Sequence, residues 1–282
     1  MSIQTELCRF PTADGETLHG LLFRPADPAP ATDLALALIH GVAMNFYSGP
    51  LPPVGQMLAE RGYHVLVANN RGHDWVSRAG NLTAFGGAAY ERIEDCLVDL
   101  DGTLAWLAGR GYRRYVLFGH SLGGIKVLYY QGHRQRPDVV GIVSCSTPRQ
   151  YYRARAEEQP DFEERMAGAE ALVEAGRGHE FIWAPTTGAP GLFTAATYVN
   201  KYGRHEHNDV RPHAAQLGCP LLATAGSAEF RFFPDLAREL AAAAGPARGT
   251  CHIIEGANHF YSGHLPALAE IIAAWLEEID GQ

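Results

Sequence analysis

Along the first 145 residues, short apolar runs alternate with stretches whose apolar positions recur at helical spacing. ELCRFPT and LHGLLFRP read as an opening antiparallel pair joined through Ala13-Asp14-Gly15. LALALIHG (34–41) is nearly all apolar, the pattern of a strand covered on both faces. A helix is predicted over 51–62, a buried strand over HVLVANN (64–70), and a long helix over 88–109 with Ile93, Cys96, Leu97, Leu100, Leu104 and Leu107 on one face. RYVLFG is a strand, a helix follows Ser121, and VVGIVSC (139–145) is another strand.

The rhythm breaks over 148–208, where Tyr, Arg, Glu and Pro fall in helical and loop patterns without a buried strand. It resumes with PLLATAG (220–226), a helix at 234–244, the strand CHIIEG (251–256) and a helix at 264–279. Strand–helix alternation implies a mostly parallel sheet with helices on both faces. The expected organisation is therefore an α/β core over 1–147 and 209–282, interrupted by a helical cap at 148–208. At 282 residues the chain suits one large unit of this kind.

Composition narrows the partners. Hydrophobic residues make up 46% and charged residues 19%, ordinary for a protein with a sizeable core. A net charge of −8, without a Lys/Arg cluster, argues against nucleic acid or an anionic membrane as partner. No apolar run approaches the roughly 20 residues that span a bilayer. MSIQTELCRFPTADGE has neither a basic nor an apolar leader region. Cys8, Cys96, Cys145, Cys219 and Cys251 are odd in number and scattered, so they read as small buried hydrophobes and not as a disulfide frame or zinc site. A cytoplasmic protein with no metal or cofactor is expected.

The chemistry concentrates at Gly119-His120-Ser121-Leu122-Gly123, a G-x-S-x-G lying between a predicted strand and a predicted helix. A serine in that corner sits on strained backbone, and glycine two residues away on either side removes the clash. The Leu122 N–H, at a helix start, can face a developing oxyanion. A serine hydroxyl needs a base. His259, in IIEGANHFYSGH, directly follows the last predicted strand and is the candidate; His120 beside the serine reads as structural. The acid is expected after the penultimate strand, where PLLATAGSAEF offers Glu229, with Asp235 as rival inside the next helix. The strand ending at Ser144, Cys145, Ser146 and Thr147 offers no acid. A second oxyanion donor is expected in His40-Gly41-Val42-Ala43-Met44, from Val42 or, failing that, Ala43. Arg71, His73 and Asp74 of NNRGHDW read as braces around the site, with His73 and Asp74 facing substrate as the alternative.

The HG turn, the RGH turn, GHSLGG and GANH, in this order across almost the whole chain, resemble the α/β-hydrolase superfamily. The resemblance implies an eight-stranded, mostly parallel α/β-hydrolase sheet with an inserted cap. It also implies a Ser121–His259–Glu229 triad and an oxyanion hole at Val42 and Leu122. RGHD stands where RGHG is common, and Glu229 where Asp is. Lys126, Tyr129-Tyr130 and ANNRG are further similar to a branch that includes siderophore esterases. A carboxylesterase-like serine hydrolase acting on a small or medium-sized ester is expected. Amide, lactone or carbon–carbon bond hydrolysis and acyl transfer use the same triad, and a non-catalytic ligand receptor is the alternative outside enzymes. Within the cap, Tyr151, Tyr152 and Trp183 are candidates to line a substrate pocket, together with Met44.

Overall fold

The computed structural model describes residues 2–26, 33–78, 84–186 and 190–280. Strands β1 (Ile3–Pro11) and β2 (Thr17–Pro25) form the opening antiparallel pair, with Leu7 opposite Leu21. The next strands are β3 (Leu34–Ile39) and β4 (Val65–Ala68), linked through helix α1 (Leu51–Ala59). A small hairpin, β5 (Ser77–Arg78) with β6 (Phe85–Gly86), precedes helix α2 (Asp95–Ala108), strand β7 (Arg114–His120), helix α3 (Leu122–Arg134) and strand β8 (Val139–Cys145). After β8 come helices α4 (Tyr152–Glu158) and α5 (Phe162–Glu174), strands β9 (Phe181–Pro185) and β10 (Pro190–Thr194), and helices α6 (Ala195–Tyr202) and α7 (Arg211–Ala215). The chain closes through β11 (Leu221–Gly226), α8 (Phe232–Ala244), β12 (Gly249–Ile254) and α9 (Leu265–Asp280).

Eight strands make one sheet in the order β1-β2-β4-β3-β7-β8-β11-β12, parallel from β4 to β12 and antiparallel at β1 and β2. Period-2 alternation in β3 shows why its sequence is apolar throughout. Leu34, Leu36 and Leu38 enter the core shared with α1 and α9, while Ala35, Ala37 and Ile39 enter the core shared with α2, α3 and α8. From β3 the chain steps to β4 on one side and then to β7 on the other, so the order reverses there. In open α/β sheets, ligand crevices form outside the carboxyl ends of strands at such a reversal.

Two elements depart from expectation. The helix predicted from residue 88 begins only at Asp95. Before it, the Arg92 amide donates to Asp95 Oδ2 and the Ile93 amide to Asn200 Oδ1, so side chains satisfy these groups instead of helical carbonyls. The segment between β8 and β11 carries the β9–β10 hairpin as well as helices. It also builds its own apolar cluster, in which Tyr152, Phe162, Met166, Phe193, Tyr198 and Tyr202 pack together. Residues 187–189 of that segment lie outside the described residues. No helix among the described residues is long and apolar enough to cross a membrane.

Candidate active site

The site sits at the reversal point, where β3 and β7 end side by side. Ser121 joins β7 to α3 with φ 56° and ψ −124°, a conformation non-glycine residues rarely hold. Its amide is anchored by donating to the Cys145 carbonyl at 2.8 Å, at the end of the neighbouring β8. The turn closes so tightly that a Cβ on Gly119 would overlap the Gly123 carbonyl, and one on Gly41 would lie 2.9 Å from Ser121 Cβ. The loop after β3 thus approaches the serine through a residue without a side chain.

The HG turn is held from beneath. His40 is buried, and its Nδ1–H donates to the Gly41 carbonyl at 2.8 Å while Nε2 accepts from the Asn70 amide at 3.3 Å. Burial, reinforced by the Lys126 charge, pushes His40 down to about 3, so the ring is neutral. Among the described residues neither the Val42 nor the Leu122 amide has an acceptor. Leu122 is the first residue of α3, where the helix dipole adds partial positive charge.

The loops after β11 and β12 bring Glu229 and His259 together. His259 Nδ1 donates to Glu229 Oε2 at 2.8 Å, and the glutamate side chain is fully buried. The other carboxylate oxygen, Oε1, accepts from Ser146 Oγ at 2.6 Å and from the Gly226 amide at 2.7 Å. Tyr261, fully buried, places its hydroxyl 2.7 Å from Ser146 Oγ. A carboxylate with both oxygens engaged in this way is locked in orientation, and it locks the imidazole in the tautomer whose Nε2 is free.

His120 bridges the two halves of the site. Its Nε2–H donates to the His259 carbonyl at 2.7 Å, and the two rings lie 4.9 Å apart between centroids. Burial and the nearby His259 charge push His120 down to about 3. Because His120 precedes Ser121 directly, this bond ties the loop of the imidazole to the corner carrying the hydroxyl. No Ser121–His259 hydrogen bond is formed among the described residues. In unliganded sites such bonds are commonly long and tighten around substrate.

Asp235, in the first turn of α8, is engaged by Arg231 and Arg238 and does not meet the imidazole. The RGHD turn braces the surrounding loops. Arg71 pairs with Asp99 and Asp14, and Asp74 Oδ1 accepts from Asn45 Nδ2 at 3.0 Å, joining this turn to the loop after β3. The pocket candidates are not brought together. Tyr152 packs in the cluster of its own segment, Tyr151 lies 4.6 Å under the Arg211 guanidinium, Trp183 is 69% exposed on β9, and Met44 packs against Gly49.

Sequence reasoning missed two groups. Ser146 holds Glu229 from 83 positions away. Glu91, fully buried, bridges Lys126 of α3 and Lys201 of α6, and Lys126 Nζ also donates to Asn70 Oδ1 at 2.7 Å. Burial disfavours the Glu91 charge, but the two lysines override it and hold the carboxyl at about 2.

The sequence profile of the α/β hydrolase fold matches residues 35–202. The chain belongs to the α/β hydrolase fold family. No curated protein sequence matches it. Among solved structures it is similar to Est1E from Butyrivibrio proteoclasticus, with TM-score 0.68 and 15% identity over 98% of this chain and 99% of that one. It is also similar to a monoacylglycerol lipase from Paleococcus ferrophilus, with TM-score 0.65 and 18% identity over 99% and 100% of the two chains. The esterase domain of a Rhodothermus marinus protein gives TM-score 0.62 and 18% identity over 98% of each chain. At these identities the likeness is one of fold.

Proposed function

We propose that the protein is a serine hydrolase that cleaves a carboxylic ester of a small or medium-sized molecule through an acyl-enzyme. His259 Nε2 takes the proton of Ser121 Oγ as the oxygen attacks the acyl carbon. The oxyanion of the tetrahedral intermediate rests on the Val42 and Leu122 amides, and Glu229 stabilises the imidazolium. The intermediate collapses as His259 gives its proton to the leaving alcohol. A water molecule, deprotonated by the same imidazole, then attacks the acyl group and returns Ser121 to its starting state. The scheme needs no metal or cofactor, and the segment 148–208 serves as a cap over the substrate. A cytoplasmic enzyme is the compartment the composition favours.

One observation carries this reading: the buried Glu229 accepts a 2.8 Å bond from His259, whose loop is tied through His120 to the strained Ser121. Pairing a base with a buried carboxylate beside a serine on strained backbone is the arrangement a nucleophile requires. Turnover of p-nitrophenyl butyrate tests it. Ser121→Ala is expected to lower kcat by on the order of 10⁴–10⁶. Undiminished turnover by that variant removes the proposal.

A further inference from the structure

In the surface loop of residues 258–263, Tyr261 is fully buried while Asn258, Phe260, Ser262 and Gly263 are exposed. It sits at φ 54°, a conformation a bulky side chain rarely holds and keeps only where its surroundings enforce it. The loop is stiff around it. Asn258 Oδ1 accepts from the Phe260 and Ser262 amides, both at 3.1 Å, and the Tyr261 amide donates to the Asn258 carbonyl at 2.9 Å. These bonds brace the turn, so an anchor on Tyr261 is also an anchor on His259, two residues earlier.

The hydroxyl is that anchor. The Tyr261 ring belongs to the core shared with α1 and α9, which accounts for its burial but not for the aim of its oxygen. Ser146 Oγ lies 2.7 Å from that oxygen and donates its single proton to Glu229 Oε1 at 2.6 Å. The Tyr261 hydroxyl is therefore the donor to Ser146. Burial pushes the phenol well above its ordinary value, so it keeps the proton it donates. Thr224 Oγ1, at 3.4 Å, and the Cys145 thiol also face it. Donation to Ser146 polarises the serine hydroxyl and strengthens its bond to the carboxylate, whose length is already in the charge-assisted range.

These bonds close a ring. From His259 Nδ1 the path runs to Glu229 Oε2, across the carboxylate to Oε1, through Ser146 Oγ to the Tyr261 hydroxyl, and along the backbone back to His259. Ser146 follows β8 directly, at φ 49°, and its amide donates to the Thr224 carbonyl of β11 at 2.7 Å, so the ring is fixed to the sheet. A single bond between His259 and Glu229 leaves the two side chains free to pivot about it. A second link from the same loop to the same carboxylate removes that freedom.

We infer that Tyr261 is a positioning residue: acting through Ser146, it locks the loop of His259 onto Glu229, so that base and acid keep one relative orientation through the reaction. The inference rests on the serine-hydrolase reading above. Its test is a double-mutant cycle on p-nitrophenyl butyrate. Tyr261→Phe is expected to lower kcat by about tenfold with little change in KM, and to cost less than about twofold in the Glu229→Gln background, because groups that act as a unit are not additive. Folded Tyr261→Phe with wild-type kcat, or a loss carried undiminished into the Glu229→Gln background, overturns the role while leaving the hydrolase intact. Should Tyr261→Phe not fold, Ser146→Ala breaks the same ring, and a loss from it that persists in the Glu229→Gln background overturns the role equally. If the wild-type protein cleaves no ester, the hydrolase reading fails first and proton NMR decides the ring. The His259 Nδ1 proton, identified by its loss in His259→Gln, is then expected to shift upfield in whichever of the two ring variants folds. An unchanged resonance overturns the lock.

Discussion

Nδ1 of His259 lies 2.8 Å from Oε2 of Glu229, and Oε1 of the same carboxylate is held by Ser146 and the Gly226 amide. The carboxylate is thus fixed from two sides before it meets the imidazole. Its longer side chain is accommodated because its own strand end, at Gly226, turns back to donate to it.

Glu229→Gln keeps the shape and removes the charge that stabilises the imidazolium in the proposed mechanism. It is expected to lower kcat on the test ester by about 10²–10⁴ with little change in KM. Ser146→Ala loosens the carboxylate without removing it and is expected to cost about tenfold. Steady-state kinetics of the two variants check the order; a larger loss from Ser146→Ala than from Glu229→Gln contradicts it.

Gly41 and Gly119 test two kinds of crowding. A methyl at Gly41 meets Ser121 Cβ at 2.9 Å and Oγ at 3.3 Å, so Gly41→Ala is expected to suppress activity in a protein that still folds. A methyl at Gly119 meets backbone at the Gly123 carbonyl, which has no rotamer by which to yield. Gly119→Ala is therefore expected to destabilise the fold by about 1–3 kcal/mol or more. Urea denaturation beside activity separates the two outcomes.

Glu91 is the shared counter-ion of two buried lysines, one on α3, the helix that follows Ser121, and one on α6. Glu91→Gln leaves Lys126 and Lys201 buried without a negative partner and is expected to cost about 3–5 kcal/mol. The same chain of contacts runs from Lys126 through Asn70 to His40 and the Gly41 carbonyl. The variant is thus expected to lose activity in its folded fraction as well as stability. Full activity per folded molecule would detach the network from the site.

Acid lability follows from the buried histidines. His40 and His120 are pushed down to about 3, whereas in the unfolded chain each titrates near its ordinary value of about 6.5. Between those values the unfolded chain binds protons that the native state refuses, so stability falls as pH drops from about 6.5 toward 3. Glu91 acts lower: its depressed carboxyl contributes stability above its unfolded value, lost as pH falls toward about 2. Urea midpoints are expected to decline steadily below pH 6, with a shallower decline in His120→Gln. Equal slopes for the two proteins contradict the assignment.

Much of the core was legible because its chemistry is local. LALALI announces a doubly covered strand, and GHSLGG between strand and helix announces the corner at Ser121, which the structure finds at φ 56°. Glu229 could be placed because it follows β11 by three residues. What escaped depends on distant partners. The Glu91 pairings span 35 and 110 residues, so neither lysine is a neighbour of Glu91 in the sequence. Strand β9 is largely exposed and ends at Pro185, and FIWAP lacks the apolar–polar alternation by which strands are recognised. The aromatic residues of 148–208 showed no periodicity that would say which rings face inward. Tyr152 and Tyr198 turned out to fill their own cluster, and Trp183 to face solvent.

The central claim is that Ser121 becomes the acyl carrier. Intact-mass analysis after brief exposure to a fluorophosphonate tests it most directly. The wild-type protein is expected to gain one covalent adduct, mapped by peptide sequencing to Ser121, with labelling lost in Ser121→Ala and slowed at least about 10²-fold in His259→Gln. Folded wild-type protein that gains no adduct, or gains it at another residue, contradicts the account.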